Sequence, residues 1–439
     1  MNNPLIFLGI IIGLAGAVII LKRPYLGVAF TVLSAPIIDL IPPIPYLSSA
    51  LPLVGAVTVV GYLLKKRGTG GRIKLRFDIQ HLLGLVFIIW ILLSNPQAAW
   101  SGPDRNWIFT FIQLLVLMVL AGDLLDEPKK HYVLMTLFAV VSVISAFTAI
   151  SQGYIGEDIE TSARVGGFAA GSNDAARYFV VAMVFITYLL SKVKDSVLRF
   201  VMLGAIIVTY IGVFYTGSRT GMILLFSAQL LLIAFQKKGK QRIQLLVIFG
   251  IAFSLLIALA STILGIIEGI IPAITQGTDT IGLRYQLWRI GWQMWLDHPI
   301  TGVGIGMFAH RSYFYMTQVP GLMPRAIVSH NMYVQILSET GIVGGILFIS
   351  IIVRSLMNFW KARHFQNSEL LELRHIWLIV FLVMLIGGIT KTDQVDKLLW
   401  MVMGLSVYFN GQVTTQLEEH NLPEGIPVAM GKQEYVNRH

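Results

Sequence analysis

The feature that most constrains this chain is a succession of apolar stretches, each close to the length that crosses a bilayer. A hydrocarbon core takes about 20 mostly apolar residues in helical form. Segments 4–22, 25–41, 47–64, 79–95, 107–122, 131–151, 174–191, 199–215, 219–236, 241–264, 331–353, 373–390 and 396–411 meet or approach that length. The expected fold is an all-α polytopic membrane protein with about 12–13 transmembrane helices. Residues 1–411 would form one transmembrane domain, with a large outer loop at 265–330, and 412–439 a polar cytoplasmic tail. The 25–41 and 396–411 segments are short, and prolines at 36, 42, 43 and 45 predict that 25–41 is a broken or re-entrant piece.

Composition agrees. Of 439 residues 55% are hydrophobic and 13% charged, the latter roughly half of what a soluble domain carries. A disordered chain, a disulfide scaffold (there is no cysteine) and an ordinary cytosolic enzyme are excluded. The net charge of +10 raises a nucleic-acid reading, which requires a basic face. The positive charge instead sits between the apolar stretches. With the chain start outside, every inner loop is basic, including Lys22–Arg23, the 65–76 run, Lys129–Lys130, Lys237–Arg242 and Arg354–Arg374. The 65–78 run then reads as an anchor beside anionic lipid, and no nucleic-acid partner is expected. The first stretch has no basic residue before it and two after it, so it reads as an uncleaved anchor.

The outer positives are ten: Arg105, Arg164, Arg177, Arg219, Arg284, Arg289, Arg311, Arg325, Lys391 and Lys397. Orientation disfavours them there, and eight are arginine, whose planar fork matches phosphate oxygens. Arg219 lies in Tyr-Thr-Gly-Ser-Arg-Thr-Gly (215–221), which joins two apolar spans with almost no loop. It reads as an anion clamp or as a snorkelling side chain, with Ser218 and Thr220 as hydroxyl donors and Gly217 and Gly221 allowing close approach. The loop at about 152–173 carries Glu157, Asp158 and Glu160, read as solvated, then Arg164-Val-Gly-Gly. Asn173 or Asp174 is expected to cap the next helix, with Arg177 in its first turn.

In the largest outer loop, Leu283, Leu287, Ile290 and Met294 recur at helical spacing over 282–296, with Trp288, Trp292 and Trp295 as an aromatic face. This predicts an interfacial helix from which Arg284 and Arg289 project, toward a substrate or toward lipid headgroups. Gly302-Val-Gly-Ile-Gly306 has no preceding strand and no following Lys-Ser/Thr, so it reads as a flexible turn. His330 sits where the chain re-enters the membrane, beside Asn331 and Tyr333, and titrates near neutrality. Glu339 lies more than two helical turns deeper, to orient partners or to pair with an arginine. No metal-ligand spacing and no Gly-x-Ser-x-Gly appear, and no metal or other cofactor is expected; Asp393-Gln-Val-Asp396 reads as a short loop. Arginine forks plus one histidine suit a membrane-embedded donor with a pyrophosphate leaving group.

The Gly-Ser-Arg-Thr-Gly at 217–221, the Arg-Tyr-Gln-Leu-Trp…Asp-His-Pro-Ile-Thr-Gly-Val-Gly run at 284–304 and the His-Asn-Met-Tyr…Glu-Thr-Gly at 330–341 resemble the O-antigen ligase and polymerase superfamily, and Arg164-Val-Gly-Gly…Asn173 is similar to its preceding loop. The resemblance implies a GT-C-like transferase in the bacterial inner membrane, its start periplasmic, its end cytoplasmic and its active site on the periplasmic face. It implies a glycan donor linked to undecaprenyl pyrophosphate and an acceptor that is lipid A-core or another lipid-linked glycan. Carried over, His330 is the general base and Arg219 and Arg284 hold the pyrophosphate; Ser218, Thr220, Arg164, Arg289, Asn331, Tyr333 and Glu339 line the substrate. A ligase leads, inverting and metal-independent, with a polymerase using the same donor as the alternative. An anion transporter is a third reading, against which the polar residues cluster at one face.

Overall fold

The computed structural model describes residues 4–41, 51–68, 76–94, 106–152, 166–235, 280–319, 323–365 and 367–420. The expected span at 241–264, Arg164 and the 157–160 carboxylates lie outside them. Every regular element among the described residues is helical: α1 (Pro4–Lys22), α2 (Tyr25–Leu33), α3 (Leu51–Gly68), α4 (Ile79–Ser94), α5 (Asn106–Leu124), α6 (Pro128–Gln152), α7 (Ser172–Lys192), α8 (Ser196–Tyr215), α9 (Arg219–Phe235), α10 (Thr280–Asp297), α11 (Phe308–Met316), α12 (Met332–Lys361), α13 (Ser368–Gly387) and α14 (Lys397–His420), with 3₁₀ turns at Ala35–Leu40 and Ala362–His364.

Six of these helices are long and apolar enough to cross a membrane: Trp107–Leu124, Pro128–Gln152, Ser172–Lys192, Ser196–Tyr215, Met332–Lys361 and Ser368–Gly387. Gly13–Lys22, Ile79–Ser94 and Arg219–Phe235 are shorter apolar helices. The outside of the bundle is itself apolar. Helix α8 exposes Val197, Phe200, Val201, Leu203 and Ile207, a surface that water would penalise and lipid would not. The chain is a multi-pass, all-α membrane protein.

Of the two short segments, one resolves as the prolines suggested and the other does not. The 25–41 piece breaks into nine-residue α2 and a 3₁₀ turn with Pro36 near its start. The 396–411 piece is instead a 24-residue helix running through His420, into the stretch expected to be a polar tail. It is short in sequence because it is central: Leu398, Leu399, Trp400, Met401, Val402, Met403, Leu405 and Phe409 are all fully buried. A helix hydrophobic on every side belongs inside a bundle. Helix α7 is the second such element, buried almost throughout 174–186.

Buried polar groups lock the helices in register. Gln80 accepts from Ser355, Asn358 and Ser406 and donates to the Met403 carbonyl at 2.7 Å, joining α4, α12 and α14. His131 accepts from the Trp377 indole at 2.9 Å, joining α6 to α13. In so apolar a medium each orphaned partner would carry a desolvation cost, so such networks fix register.

The bundle has two chemically distinct ends. At one, basic side chains near the helix ends meet Asp123, Asp126, Asp78 and Glu372: Lys66 with Asp123, which also accepts the Arg76 backbone amide, Lys130 with Asp126, Arg354 with Asp78 and Lys192 with Glu372. At the other end lie the starts of α7, α9, α12 and α14, tied by Lys397 to Ser34 (3.2 Å) and by the Asp39 amide to the Phe168 carbonyl (3.1 Å).

Candidate active site

The site is built on the start of α12. Asn331 caps that helix, its carboxamide oxygen accepting from the amides of Tyr333 (2.9 Å) and Val334 (3.0 Å). Ser329 brackets the same turn: its hydroxyl donates to the Asn331 carbonyl, its oxygen accepts the Asn331 amide, and its own amide donates to Gln335. Between these clamps His330 holds φ +52°, the sole non-glycine with positive φ among the described residues. A left-handed L-residue costs roughly 1–2 kcal/mol. Such strain persists where surroundings over-determine it and side-chain placement is functional.

Helix α10 supplies the wall facing His330. Leu287, Ile290 and Met294 bury against Val303, Phe308 and Met316 in a small satellite core, so the spacing read from the sequence is a packing stripe. Trp288 is not part of a purely lipid-facing belt: its indole N–H donates to the Ser329 carbonyl at 3.1 Å. Trp292 is exposed, as are Leu296 and Ile300. Arg284, one turn before Trp288 on the same face, is half-buried, whereas Arg289 is exposed and its nearest polar partner is Gln286 at 3.5 Å.

The Gly302–Gly306 stretch is pinned, not flexible as expected. Val303 and Gly304 donate to the Ser338 and Glu339 carbonyls at 2.9 Å, and residues 302–306 are buried. The partner is a break in α12: Gly341 sits at φ +67°, and a Cβ there would lie 2.0 Å from the Ile300 carbonyl oxygen. Glu339 is fully buried and accepts from the Phe308 amide (3.0 Å) and the Gln335 carboxamide (2.6 Å). It braces the loop that carries α10 and α11.

A third wall comes from the 388–396 segment. The Met332 amide donates to the Gly388 carbonyl at 2.7 Å, and the Tyr333 hydroxyl to the Leu385 carbonyl at 2.9 Å. This brings in Lys391, which pairs with Asp174 at the start of α7. Contrary to the expectation that Asn173 or Asp174 caps α7, Gly171 occupies that position and makes no side-chain cap. Asp174 instead binds Arg177 (2.9 Å), which also reaches Asp393 and, at 2.8 Å, Asp396. Arg177 is therefore buried among three carboxylates beside a cavity of about 200 Å³, and the Tyr178 hydroxyl donates to Asp396 at 2.8 Å. Sequence reasoning placed these residues at the outer surface but did not unite them. The available signal was a lone arginine and paired aspartates, all flanking long apolar spans.

Electrostatics set His330 apart. Burial, then Arg284, Lys391 and Arg325, hold its imidazole down to about 4, so it is neutral at pH 7 and able to accept a proton. Burial pushes the Asp393 carboxyl up, against the pull of Arg177.

Arg219 begins α9 at this same end of the bundle. The Ser218 hydroxyl before it is fully buried, donating to Asn173 (2.6 Å) and accepting from the Gly221 amide (3.0 Å). It caps α9 and ties that helix to α7, so both of its hydrogen-bonding directions are engaged within the protein. Gly221 faces Ala176 so closely that a Cβ would come within 2.4 Å, so what approaches this glycine is α7. Thr220 is buried. The structure thus brings His330, Asn331, Tyr333 and the segments carrying Arg284 and Lys391 to one end of the bundle. It joins Arg219 to that end through Ser218, Asn173 and the Asp174–Lys391 pair. Among the described residues no group of three or more His, Asp or Glu side chains is arranged to hold a metal ion.

No curated protein matches this chain significantly. The family model described as O-antigen ligase matches residues 203–349, which include Arg219, Arg284, His330 and Glu339. Over that stretch the chain is similar to that family model, in line with the resemblance its motifs carry.

Proposed function

We propose that the protein is a glycosyltransferase that moves a glycan from undecaprenyl pyrophosphate to a hydroxyl of lipid A-core, at the periplasmic face of the bacterial inner membrane. The observation that carries this reading is a neutral, conformationally strained histidine ringed by cations at the mouth of a membrane bundle. In the reaction the acceptor hydroxyl gives its proton to the His330 imidazole as its oxygen attacks the anomeric carbon. The bond from that carbon to the pyrophosphate oxygen breaks, and the electron pair leaves on undecaprenyl pyrophosphate. Arg284 and Arg219 stabilise the departing charge, which grows as the bond breaks. Attack opposite the leaving group inverts the anomeric centre. The imidazolium then releases its proton to the departing phosphate or to water.

Under this reading 265–330 is a periplasmic loop within a single transmembrane domain, and α10 lies along the interface with Trp292 in the headgroup layer. Asn331 and Tyr333 shape the entrance, Glu339 supports it from below, and Arg289 and Thr220 flank the substrate. The test is transfer by purified protein from undecaprenyl-pyrophosphoryl glycan, with lipid A-core and lipid-linked glycan offered together. Labelled lipid A-core supports the ligase; longer lipid-linked chains identify a polymerase; no product with either contradicts the reading.

A further inference from the structure

At the end of the bundle opposite His330, a groove of about 660 Å³ runs between α6, α7 and α8. That volume lies within the ~300–1,000 Å³ range of ligand pockets. The groove exists because Ala139 and Ala205 are small; Val140, Ile144, Leu198 and Val201 stand along it, each about half exposed. On α6 its lining runs from Tyr132 to Ile144, a rise of about 18 Å at 1.5 Å per residue. Half of a bilayer's hydrocarbon core is about 15 Å thick. The groove is therefore as long as one leaflet is deep.

Its polar lining collects at one end. Tyr132 lies near the start of α6, Lys192 closes α7 and Glu369 opens α13. The Tyr132 hydroxyl donates to Glu369 at 2.6 Å, and its ring stacks on that of Tyr188. Lys192 is matched by Glu372 and lies over the Tyr188 ring at 5.3 Å. One anion and one cation then remain. Among the described residues no cation pairs with Glu369, and no carboxylate pairs with Arg199. The Arg199 guanidinium reaches only the carbonyl of Val193, a groove residue, at 3.5 Å. An apolar trough one leaflet long, with an anion and a cation at its mouth, fits an amphiphile that carries both charges. We infer that this groove binds one zwitterionic glycerophospholipid, its acyl chain along α6 and α8, its ammonium at Glu369 and its phosphate at Arg199. A lipid with negative charge alone would face Glu369 without the ammonium that answers it. The bound lipid covers α8, the least enclosed of the six long spans, with 28% of its window buried by protein. Because the groove and His330 lie at opposite ends, its occupancy is independent of the transfer chemistry.

The test is native mass spectrometry of the full-length protein, delipidated in detergent and titrated with palmitoyl-oleoyl phosphatidylethanolamine or, separately, phosphatidylglycerol of the same chains. The first phosphatidylethanolamine is expected to bind about two- to fivefold more tightly than phosphatidylglycerol, the worth of one exposed ion pair. Glu369→Gln should abolish that preference. Ala205→Trp places an indole in the groove and should remove the first-binding lipid of either kind. Val201→Trp, at an exposed groove position, gives the same reading should Ala205→Trp fail to fold. Ile223→Trp, exposed on α9 and outside the groove, should change nothing. Phosphatidylglycerol bound as tightly as phosphatidylethanolamine by the wild type overturns the assignment of the ammonium to Glu369. A first-binding lipid retained at full affinity by the folded tryptophan variant overturns the groove itself.

Discussion

The indole N–H of Trp288 donates to the Ser329 carbonyl at 3.1 Å, and that contact sets where Arg284 stands relative to His330. Arg284 and Trp288 are one turn apart on α10, and Ser329 and His330 are adjacent, so one hydrogen bond couples the arginine to the histidine. Trp288→Phe keeps the apolar body and removes the donor. It is expected to lower transfer by about tenfold while costing ~0.5–1.5 kcal/mol of stability. Measuring kcat/KM beside thermal unfolding in detergent separates the two effects; unchanged turnover would show that Arg284 is positioned by other contacts.

The backbone of His330 offers a check that does not depend on activity. Because φ is +52°, glycine at this position relieves strain that alanine retains. His330→Gly should be more stable than His330→Ala by about 1 kcal/mol, although both lose the imidazole. Equal unfolding temperatures would contradict the strained turn.

Acidity provides a second check. The folded imidazole titrates near 4 and an unfolded one near 6.5, so between these values the unfolded chain binds the proton first. Stability should therefore fall as pH drops from about 6.5 to about 4, and this contribution should vanish in His330→Ala. For turnover, the acid limb of kcat/KM reports the free protein and should lie near 4. A limb at the ordinary histidine value would contradict the buried imidazole.

Arg177 is expected to matter for the fold. Three carboxylates surround it in a buried site, and removing the cation leaves them facing one another. Arg177→Ala should cost about 3–5 kcal/mol, read as loss of folded protein in detergent. Full stability of that variant would contradict the buried network. Gly341→Ala is expected to cost ~1–3 kcal/mol or more, since its Cβ would overlap the Ile300 carbonyl.

The sequence made the helical bundle legible because the membrane imposes one rule on every span. The candidate site residues were picked where chemistry is rare: an arginine at 219, an arginine at 284 and a histidine at 330 stand out against apolar surroundings. Trp288 was read as part of a lipid-facing aromatic surface because an indole suits both a headgroup layer and a buried donor, and only the partner at Ser329 distinguishes them. Ser218 was read as a substrate donor because a hydroxyl beside an arginine suits an anion; its engagement with Asn173 and Gly221 depends on α7, 45 residues earlier. Glu339 was read as an orienting group or an ion-pair partner; it accepts from the Phe308 amide and the Gln335 carboxamide, contacts that depend on residues of two separate helices. The Lys391–Asp174–Arg177 link escaped because it joins residues more than 200 positions apart, a separation at which local spacing carries no information.

The central claim is that His330 takes the proton of the acceptor hydroxyl. It is tested most directly by single-turnover transfer from undecaprenyl-pyrophosphoryl glycan, comparing wild type with His330→Ala at matched donor occupancy. The account expects donor binding to survive and the transfer rate to fall by ~10²–10⁴-fold. A rate in His330→Ala within a few-fold of wild type would contradict it.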